Sequence, residues 1–425
     1  MKILHISALP VWPLEGKGGM PSLRETLCGH VRGGHDVLLV LPQYNIIGDH
    51  ANPVNVREDE GYNVILMPCR WAPALAMVRR FARRLGGGKE LPYLLRWLLN
   101  LTLCLLLTLS LILSALRLRF VQKRHFDLVY AHNQYASLAG WMLGKLFSAP
   151  NVTRLYGTFL ADLIKKPLVW LRYPVAAAGY LIPHSLLICA NDGTRGDEVA
   201  KKLNIDMSKF RFWQNGVDLP SHPPNTTRTD IVNCFGALGL REECQWILSC
   251  SRLSYWKRID RMLHALKYVC EKGCDCQLLV AGDGPERDRL TKLSTELGVA
   301  ENVIWLGAVQ HDQIWELMNV ADVFMITNDV TNRCNPLYEA MSAGLPVVSV
   351  SDPSTVDLLK HGDNALLADK QDINSLAENL YLLCQDTSLA SHLRSAQHSY
   401  SESFWSWTQR METEVMELER LVMNS

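Results

Sequence analysis

Short apolar runs of strand length alternate with helical stretches along nearly the whole chain, and that alternation restricts it to parallel α/β architecture. In the first half the predicted strands are Lys2–Ser7, Asp36–Leu41, Asn63–Met67, Asp127–Ala131, Val152–Tyr156, Leu186–Ala190 and Phe210–Gln214. A second series follows at Trp246–Cys250, Gln277–Ala281, Val303–Gly307, Val323–Thr327 and Pro346–Val350. Between the series lie Asn215-Gly216-Val217-Asp218 and then Leu219–Asp230, a stretch rich in Pro, Asn and Thr that reads as a linker. With 425 residues, each half is long enough to bury its own core. The expected layout is a first α/β domain over residues 1–218, a linker over 219–230, a second α/β domain over 231–395, and a helical segment over 396–425 that can pack back on the first domain.

One segment stands apart from this pattern. Trp97–Leu116 is 20 residues without a charge, mostly Leu. Arg79, Arg80, Arg83, Arg84 and Arg96 precede it, and Arg117, Arg119, Lys123 and Arg124 follow. By length it can cross a bilayer. A crossing, however, would put Lys2–Met67 and Asp127–Gln214 on opposite sides of the membrane, although their strands belong to one sheet. Basic flanks at both ends also give no positive-inside asymmetry. The alternatives are an apolar helix lying in one leaflet, a buried or partner-facing helix, and a true span.

Lys+Arg and Asp+Glu are both 43, so no basic excess points to nucleic acid. Of the twelve cysteines, Cys28, Cys69, Cys104, Cys189, Cys250 and Cys384 sit in apolar or helical stretches. The tight group Cys270, Cys274, Cys276 lacks a paired C-x2-C spacing. Free thiols in a reducing compartment are the expectation. The start, MKILHISALP, runs into a strand with no apolar stretch and cleavage site, which predicts a cytoplasmic protein.

Three loops carry candidate chemistry. After the first strand, Gly16, Gly18 and Gly19 precede Met20-Pro21-Ser22 and a helix, a combination that lets a diphosphate approach a helix N-terminus. No G-x-G-x-x-G follows that strand, which argues against a dinucleotide-dependent oxidoreductase. After Trp246–Cys250 comes Ser251-Arg252-Leu253-Ser254-Tyr255-Trp256-Lys257. Its two cations lie just past a strand's C-terminal end, where open α/β sheets bind ligands. Arg offers a fork for phosphate oxygens and Lys a mobile point charge. After Val323–Thr327 comes Asn328–Cys334, then Asn335-Pro336-Leu337-Tyr338-Glu339. Asn335 reads as an N-cap, Pro336 as the first helical residue and Gly344 as the helix stop. That helix start aims amides at an anion, and Glu339 can accept hydrogen bonds from ribose hydroxyls.

Arg252 with Lys257, Ala281-Gly282-Asp283-Gly284-Pro285, Glu339-Ala340-Met341 with Gly344 and Pro346, and Asn215-Gly216-Val217-Asp218 together resemble the family 4 retaining glycosyltransferases. Gly18-Gly19 and Tyr130-Ala131-His132 agree with the same family, and the likeness is most specific from Trp246 to Asp369. The resemblance implies a GT-B fold, two Rossmann-like parallel-sheet domains facing a central cleft. It implies transfer of a sugar from a UDP- or GDP-sugar to a glycan or lipid-linked acceptor. On that basis Arg252 and Lys257 would neutralise the donor diphosphate, Glu339 would hold the ribose and His132 would contact the transferred sugar. Gly18, Gly19, Gly282, Asn335, Pro336 and Leu337 would complete the donor site.

The family usually has a second glutamate eight positions before the helical one, where this chain has Thr331; Asn332-Arg333-Cys334-Asn335 stands for the usual glycine-rich stretch. Asp329 or the backbone amides of Asn335–Leu337 can take over its contacts, or the donor differs, or activity is reduced. The family's front-face mechanism, in which the leaving diphosphate helps deprotonate the acceptor, fits the lack of a glycosidase-type carboxylate pair. No DxD-like motif calls for a metal, and no cofactor is expected beyond the nucleotide sugar. The membrane-lying alternative for residues 97–116 adds peripheral contact with the inner membrane face. A competing possibility is a catalytically weak subunit that binds sugar nucleotide or glycan and supports a partner enzyme.

Overall fold

The computed structural model describes residues 1–8, 21–42, 57–59, 61–67, 93–166, 168–217 and 225–425. They form two units, one of residues Met1–Asn215 with Trp407–Ser425 and one of Gly216–Ser406. The boundary thus falls after Ser406, so the final helix alone, not the whole of 396–425, joins the first unit.

The first unit is built on an eight-stranded sheet in the order β3-β4-β2-β1-β5-β6-β7-β8. Its strands are β1 (Lys2–Ser7), β2 (Asp36–Pro42), β3 (Arg57–Asp59), β4 (Tyr62–Met67), β5 (Leu128–His132), β6 (Asn151–Leu155), β7 (Leu186–Ala190) and β8 (Phe210–Trp213). All neighbours are parallel except β3, which pairs antiparallel with β4. Strands buried on both faces read as continuous apolar runs. In β1, Leu4 and Ile6 pack on one face with Val129 and Ala131, while Ile3 packs on the other with Leu128 and Tyr130. Helices α1 (Pro21–Arg32), α2 (Tyr93–Leu116), α3 (Gln134–Phe147), α4 (Val169–Arg172), α5 (Pro174–Leu181) and α6 (Gly196–Lys202) cover the sheet. The chain order reverses between β1 and β5, the position at which such sheets bind ligands.

Helix α2 contains the charge-free segment. Leu107, Leu111 and Ala115 are buried, and the last two pack into the core with Val129 and Ala139. Leu94, Leu98, Leu105, Leu109 and Leu113 fall on another stripe and are exposed, Leu94 by 65% and Leu113 by 58%. β4 and β5, which bracket the segment, share one sheet with β2 and β1 between them. A single crossing by α2 would separate strands that the sheet joins.

The C-terminal helix (Trp407–Met423) lies on α1, where two glycines one turn apart make room. A Cβ on Gly29 would sit 2.3 Å from Met411 Cγ, and one on Gly33 3.0 Å from Val415.

The second unit has a six-stranded, wholly parallel sheet in the order β11-β10-β9-β12-β13-β14. The strands are β9 (Gln245–Cys250), β10 (Cys276–Ala281), β11 (Val303–Gly307), β12 (Val323–Ile326), β13 (Val347–Val350) and β14 (Ala365–Ala368). They alternate with α7 (Arg228–Phe235), α8 (Ile259–Glu271), α9 (Arg287–Glu296), α10 (His311–Val320), α11 (Asn335–Ser342), α12 (Ile373–Gln385) and α13 (Thr387–Ser401). One apolar cluster lies on each face, around Trp246 and Phe324 on one side and Ile247 and Met325 on the other. Helix α7 begins inside the expected linker, capped by a reciprocal Thr227–Asp230 pair. Here the reversal of chain order falls between β9 and β12.

Candidate functional site

In the second unit the loops after β9 and β12 flank the reversal point, and both belong to the C-terminal edge of the sheet. The β9 loop is held against the β10 loop by backbone bonds. Ser251 N–H donates to Ala281 O at 3.0 Å and Leu253 N–H to Asp283 O at 3.0 Å. This approach requires glycine. Gly282 has φ +146°, and a Cβ there would lie 1.9 Å from Ser251 O; one on Gly284 would lie 2.3 Å from Leu253 O.

Four cations leave this loop, and the structure divides them. Arg258 pairs with Asp260 and Asp329, and Arg261 pairs with Asp329 and donates to Thr327 O. These two stitch the β9 loop to the β12 loop, aided by Asp329 N–H donating to Trp256 O at 2.9 Å. Arg252 is exposed and Lys257 is only 9% exposed, and neither has a carboxylate partner among the described residues. Lys257 Nζ lies 4.3 Å from the Trp256 ring centroid, a contact that holds an ammonium without neutralising it. The Ser251 and Ser254 hydroxyls are buried without hydrogen-bond partners. Unpaired cations beside unused donors form a surface suited to an anion.

The β12 loop answers the question raised by Thr331. Thr331 Oγ1 donates to Ser354 Oγ at 3.0 Å and accepts from Arg333 N–H at 3.1 Å. Asn332 reaches back, accepting from Asn328 N–H at 2.8 Å while its own N–H donates to Asp352. This position therefore braces the loop. Asp329, one candidate substitute for the missing glutamate, is held by Arg258 and Arg261.

The helix start differs from expectation by one residue. Cys334 occupies the N-cap position with extended φ and ψ, and Asn335 is already helical. Extended Cys334 satisfies the non-helical geometry of a cap without a side-chain oxygen. Pro336 has no N–H, and Leu337 N–H donates to Cys334 O at 3.0 Å. The Leu337 side chain is core.

Glu339 lies one turn into α11 and is 9% exposed. Its Oε1 accepts from His311 Nε2 at 3.1 Å. His311, the first residue of α10 after β11, was not singled out from sequence, since a histidine at a helix start carries no distinguishing pattern. Burial pushes the Cys250 thiol up, helped by Glu339 and Cys334 and opposed by Lys257. Those charges therefore converge around the end of β9.

In the first unit His132 closes β5 at the reversal point, followed by Asn133 in the left-handed region (φ 72°). The imidazole is fully buried, with Nε2 2.8 Å from His5 Nδ1 and Nδ1 2.7 Å from Tyr156 Oη. Burial, then Arg154 and His30, lower its pKa well below the usual imidazole value, so the ring is neutral. Both nitrogens are engaged within the protein. Gly18 and Gly19 lie outside the described residues; α1 does begin at Pro21. Among the described residues no group of three or more His, Cys, Asp or Glu is placed to hold a metal ion.

Residues 233–399, most of the second unit, match the family model described as glycosyl transferases group 1. An uncharacterized glycosyltransferase of Methanocaldococcus jannaschii is 29% identical over 181 residues, 43% of this chain and 46% of its own length. This chain thus spans less than half of that relative. The UDP-Gal:alpha-D-GlcNAc-diphosphoundecaprenol alpha-1,3-galactosyltransferase of Escherichia coli is 24% identical over 271 residues, 63% of this chain and 69% of that protein. The sucrose-phosphate synthase of Thermosynechococcus elongatus matches in structure with a TM-score of 0.75 at 15% identity, over 100% of both chains. Two parallel-sheet units with this likeness are the GT-B fold, and the second of them carries, over residues 233–399, the match to the glycosyl transferases group 1.

Proposed function

We propose that the protein is a retaining glycosyltransferase that moves a sugar from a UDP- or GDP-sugar to a glycan or lipid-linked acceptor. The observation that carries this is the division of the β9-loop cations: two build the loop, while Arg252 and Lys257 have no acidic partner among the described residues and stand beside the Gly282 cradle. Donor binding is assigned to the second unit. Arg252 and Lys257 neutralise the diphosphate, and Glu339, oriented by His311, holds the ribose hydroxyls. As the glycosidic bond breaks, charge builds on the diphosphate, so fixed cations lower the barrier. The departing phosphate oxygen takes the acceptor proton, and the new bond forms on the face the leaving group vacates. This chemistry calls for no metal and no cofactor, and acceptor recognition is assigned to the first unit. The likeness to the diphosphoundecaprenol-dependent relative supports a lipid-linked acceptor.

The test is thermal unfolding with UDP, GDP, ADP and their sugars, followed by transfer assays with EDTA and lipid-linked acceptors. A ligand at 100 times its Kd adds about 2.7 kcal/mol. No stabilisation by any nucleotide would remove the donor-site assignment. Binding without turnover on any acceptor favours the second reading, a weak subunit serving a partner enzyme, which the structural roles of Thr331 and Asp329 support.

We also propose peripheral attachment to the cytoplasmic face of the membrane through α2. Its exposed leucine stripe and the cations Arg96, Arg117, Arg119, Lys123 and Arg124 at both ends suit a helix lying flat at headgroup level.

A further inference from the structure

Beneath His132 the first unit contains an unbroken polar chain. Tyr156 Oη lies 2.7 Å from His132 Nδ1, and His132 Nε2 lies 2.8 Å from His5 Nδ1. His5 Nε2 lies 3.1 Å from His30 Nδ1. His30 Nε2 in turn stands 3.2 Å from Glu414 Oε1, at ion-pair distance but off the ideal N–H axis. His5, His30, His132 and Glu414 are fully buried, and Tyr156 is the member with partial exposure. They come from β1, α1, β5, the segment after β6 and the C-terminal helix.

The chain has a direction, and Glu414 sets it. An ionised carboxylate only accepts, and a ring lone pair facing it would be repelled, so His30 carries its proton on Nε2. Arg154 and Arg410 already flank Glu414, with the Arg410 Nη1 2.8 Å from Oε2 and Arg154 Nη1 at 3.4 Å. With the His30 proton on the Nε2 that faces Glu414, Nδ1 is the nitrogen that accepts from His5 Nε2–H. His5 Nδ1 then accepts from His132 Nε2–H, and His132 Nδ1 accepts from the Tyr156 hydroxyl. Tyr130 donates to Glu414 Oε1 at 2.6 Å and supports the same polarity.

We propose that Glu414, carried by the C-terminal helix, is a positioning residue: through His30 and His5 it holds His132 as the Nε2–H tautomer. The Tyr156 proton is thereby committed inward, and the Tyr156 oxygen is left as a hydrogen-bond acceptor for a substrate hydroxyl. The second part rests on the glycosyltransferase reading, whose acceptor is a hydroxyl compound; the first does not. The arrangement also makes the site at the end of β5 dependent on docking of the last helix, 284 residues from Tyr130 in sequence.

The test is 15N NMR of the protein labelled at histidine, which reports which ring nitrogen carries the proton. Wild type should show Nε2–H for His5, His30 and His132. Glu414→Gln, or His30→Gln if the first fails to fold, should shift the His132 signals toward a tautomer mixture. A wild-type His132 protonated on Nδ1, or one unmoved in a folded variant, overturns the relay whatever the kinetics. Tyr156→Phe should lower kcat/KM for the acceptor about 10-fold, the loss of roughly one hydrogen bond, with nucleotide affinity unchanged. Unchanged kcat/KM in an active enzyme overturns the Tyr156 role. If wild type transfers no sugar, the glycosyltransferase reading fails while the NMR still decides the relay.

Discussion

Glu339 accepts a hydrogen bond from His311 Nε2 at 3.1 Å, linking the helices that follow β12 and β11 across the edge of the second sheet. The carboxylate is mostly buried and the imidazole half-exposed, so His311 fixes one oxygen and leaves the other for a ligand. Glu339→Gln should weaken nucleoside diphosphate binding roughly 10-fold, because an amide is a poorer acceptor for ribose hydroxyls than a carboxylate. His311→Ala should have a smaller effect in the same direction. Calorimetric titration checks both, and an unchanged Kd in Glu339→Gln would return the residue to a helix-start charge.

Arg252 and Lys257 differ from their neighbours in having no acidic partner among the described residues, so removing them should cost the fold little. Arg252→Ala should lower kcat/KM on the order of 10²–10³ with an unchanged melting temperature. Lys257→Ala should do the same with some loss of stability, since its stem is buried against Trp256. By contrast, Arg261→Ala should destabilise the second unit, because it strips Asp329 and Thr327 of a buried partner. Near-wild-type kinetics in both Arg252→Ala and Lys257→Ala would refute the diphosphate assignment.

The first unit should lose stability in mild acid. Burial, followed by neighbouring imidazoles and cations, lowers the pKa of His5 and His132, and His35 is lowered to about 4 by burial and the N-terminal amine. In the unfolded chain each titrates near ~6.5. Below that pH the unfolded state binds more protons than the folded one, so stability falls as pH drops, for His35 between about 6.5 and about 4. Burial opposes the charge on Glu414, but Arg410 and Arg154 outweigh it and hold its carboxyl well below the usual range. Its contribution is present above about pH 4.3 and is lost as pH falls through the folded value. Calorimetry from pH 8 to 5 should show a level melting temperature above 7 and a decline below about 6.5. A first-unit transition that stays level to pH 5 contradicts this.

The sequence discloses strands where burial on both faces enforces an apolar run, and the expected ends agree to within one or two residues. It hides β3, whose Arg57-Glu58-Asp59 at a sheet edge has no apolar pattern, and β14, four residues among polar neighbours. The capping box at Thr227–Asp230 was hidden by the Pro- and Asn-rich composition around it. The cations after β9 were legible because strand, loop and charge are contiguous. Which of them pair was not, since Arg258 and Asp329 lie 71 residues apart. His5, His30 and Glu414 were invisible for the same reason: each sits in an unremarkable apolar strand or amphipathic helix, and only the fold brings them together.

Helix α2 should bind anionic membranes while lying in one leaflet. Leu94, Leu98, Leu105, Leu109 and Leu113 recur at helical spacing on the exposed stripe, while Leu107, Leu111 and Ala115 anchor the opposite side to the core. The exposed Phe120 and Val121 extend the apolar surface past the helix end, beside Arg117 and Arg119. Burying apolar area contributes about 25 cal/mol per Å², so a few exposed leucines supply several kcal/mol. Each nearby cation adds roughly 1 kcal/mol against anionic headgroups. Stable anchoring generally takes two such signals. Co-sedimentation with liposomes containing anionic lipid should show binding at low salt that weakens as salt rises. Leu105→Ser with Leu109→Ser should abolish binding yet leave the melting temperature and nucleotide affinity unchanged, because neither side chain is buried. A chain that ignores anionic liposomes at low salt rules the membrane role out, and resistance to carbonate extraction would instead require a span that the shared sheet of β4 and β5 does not accommodate.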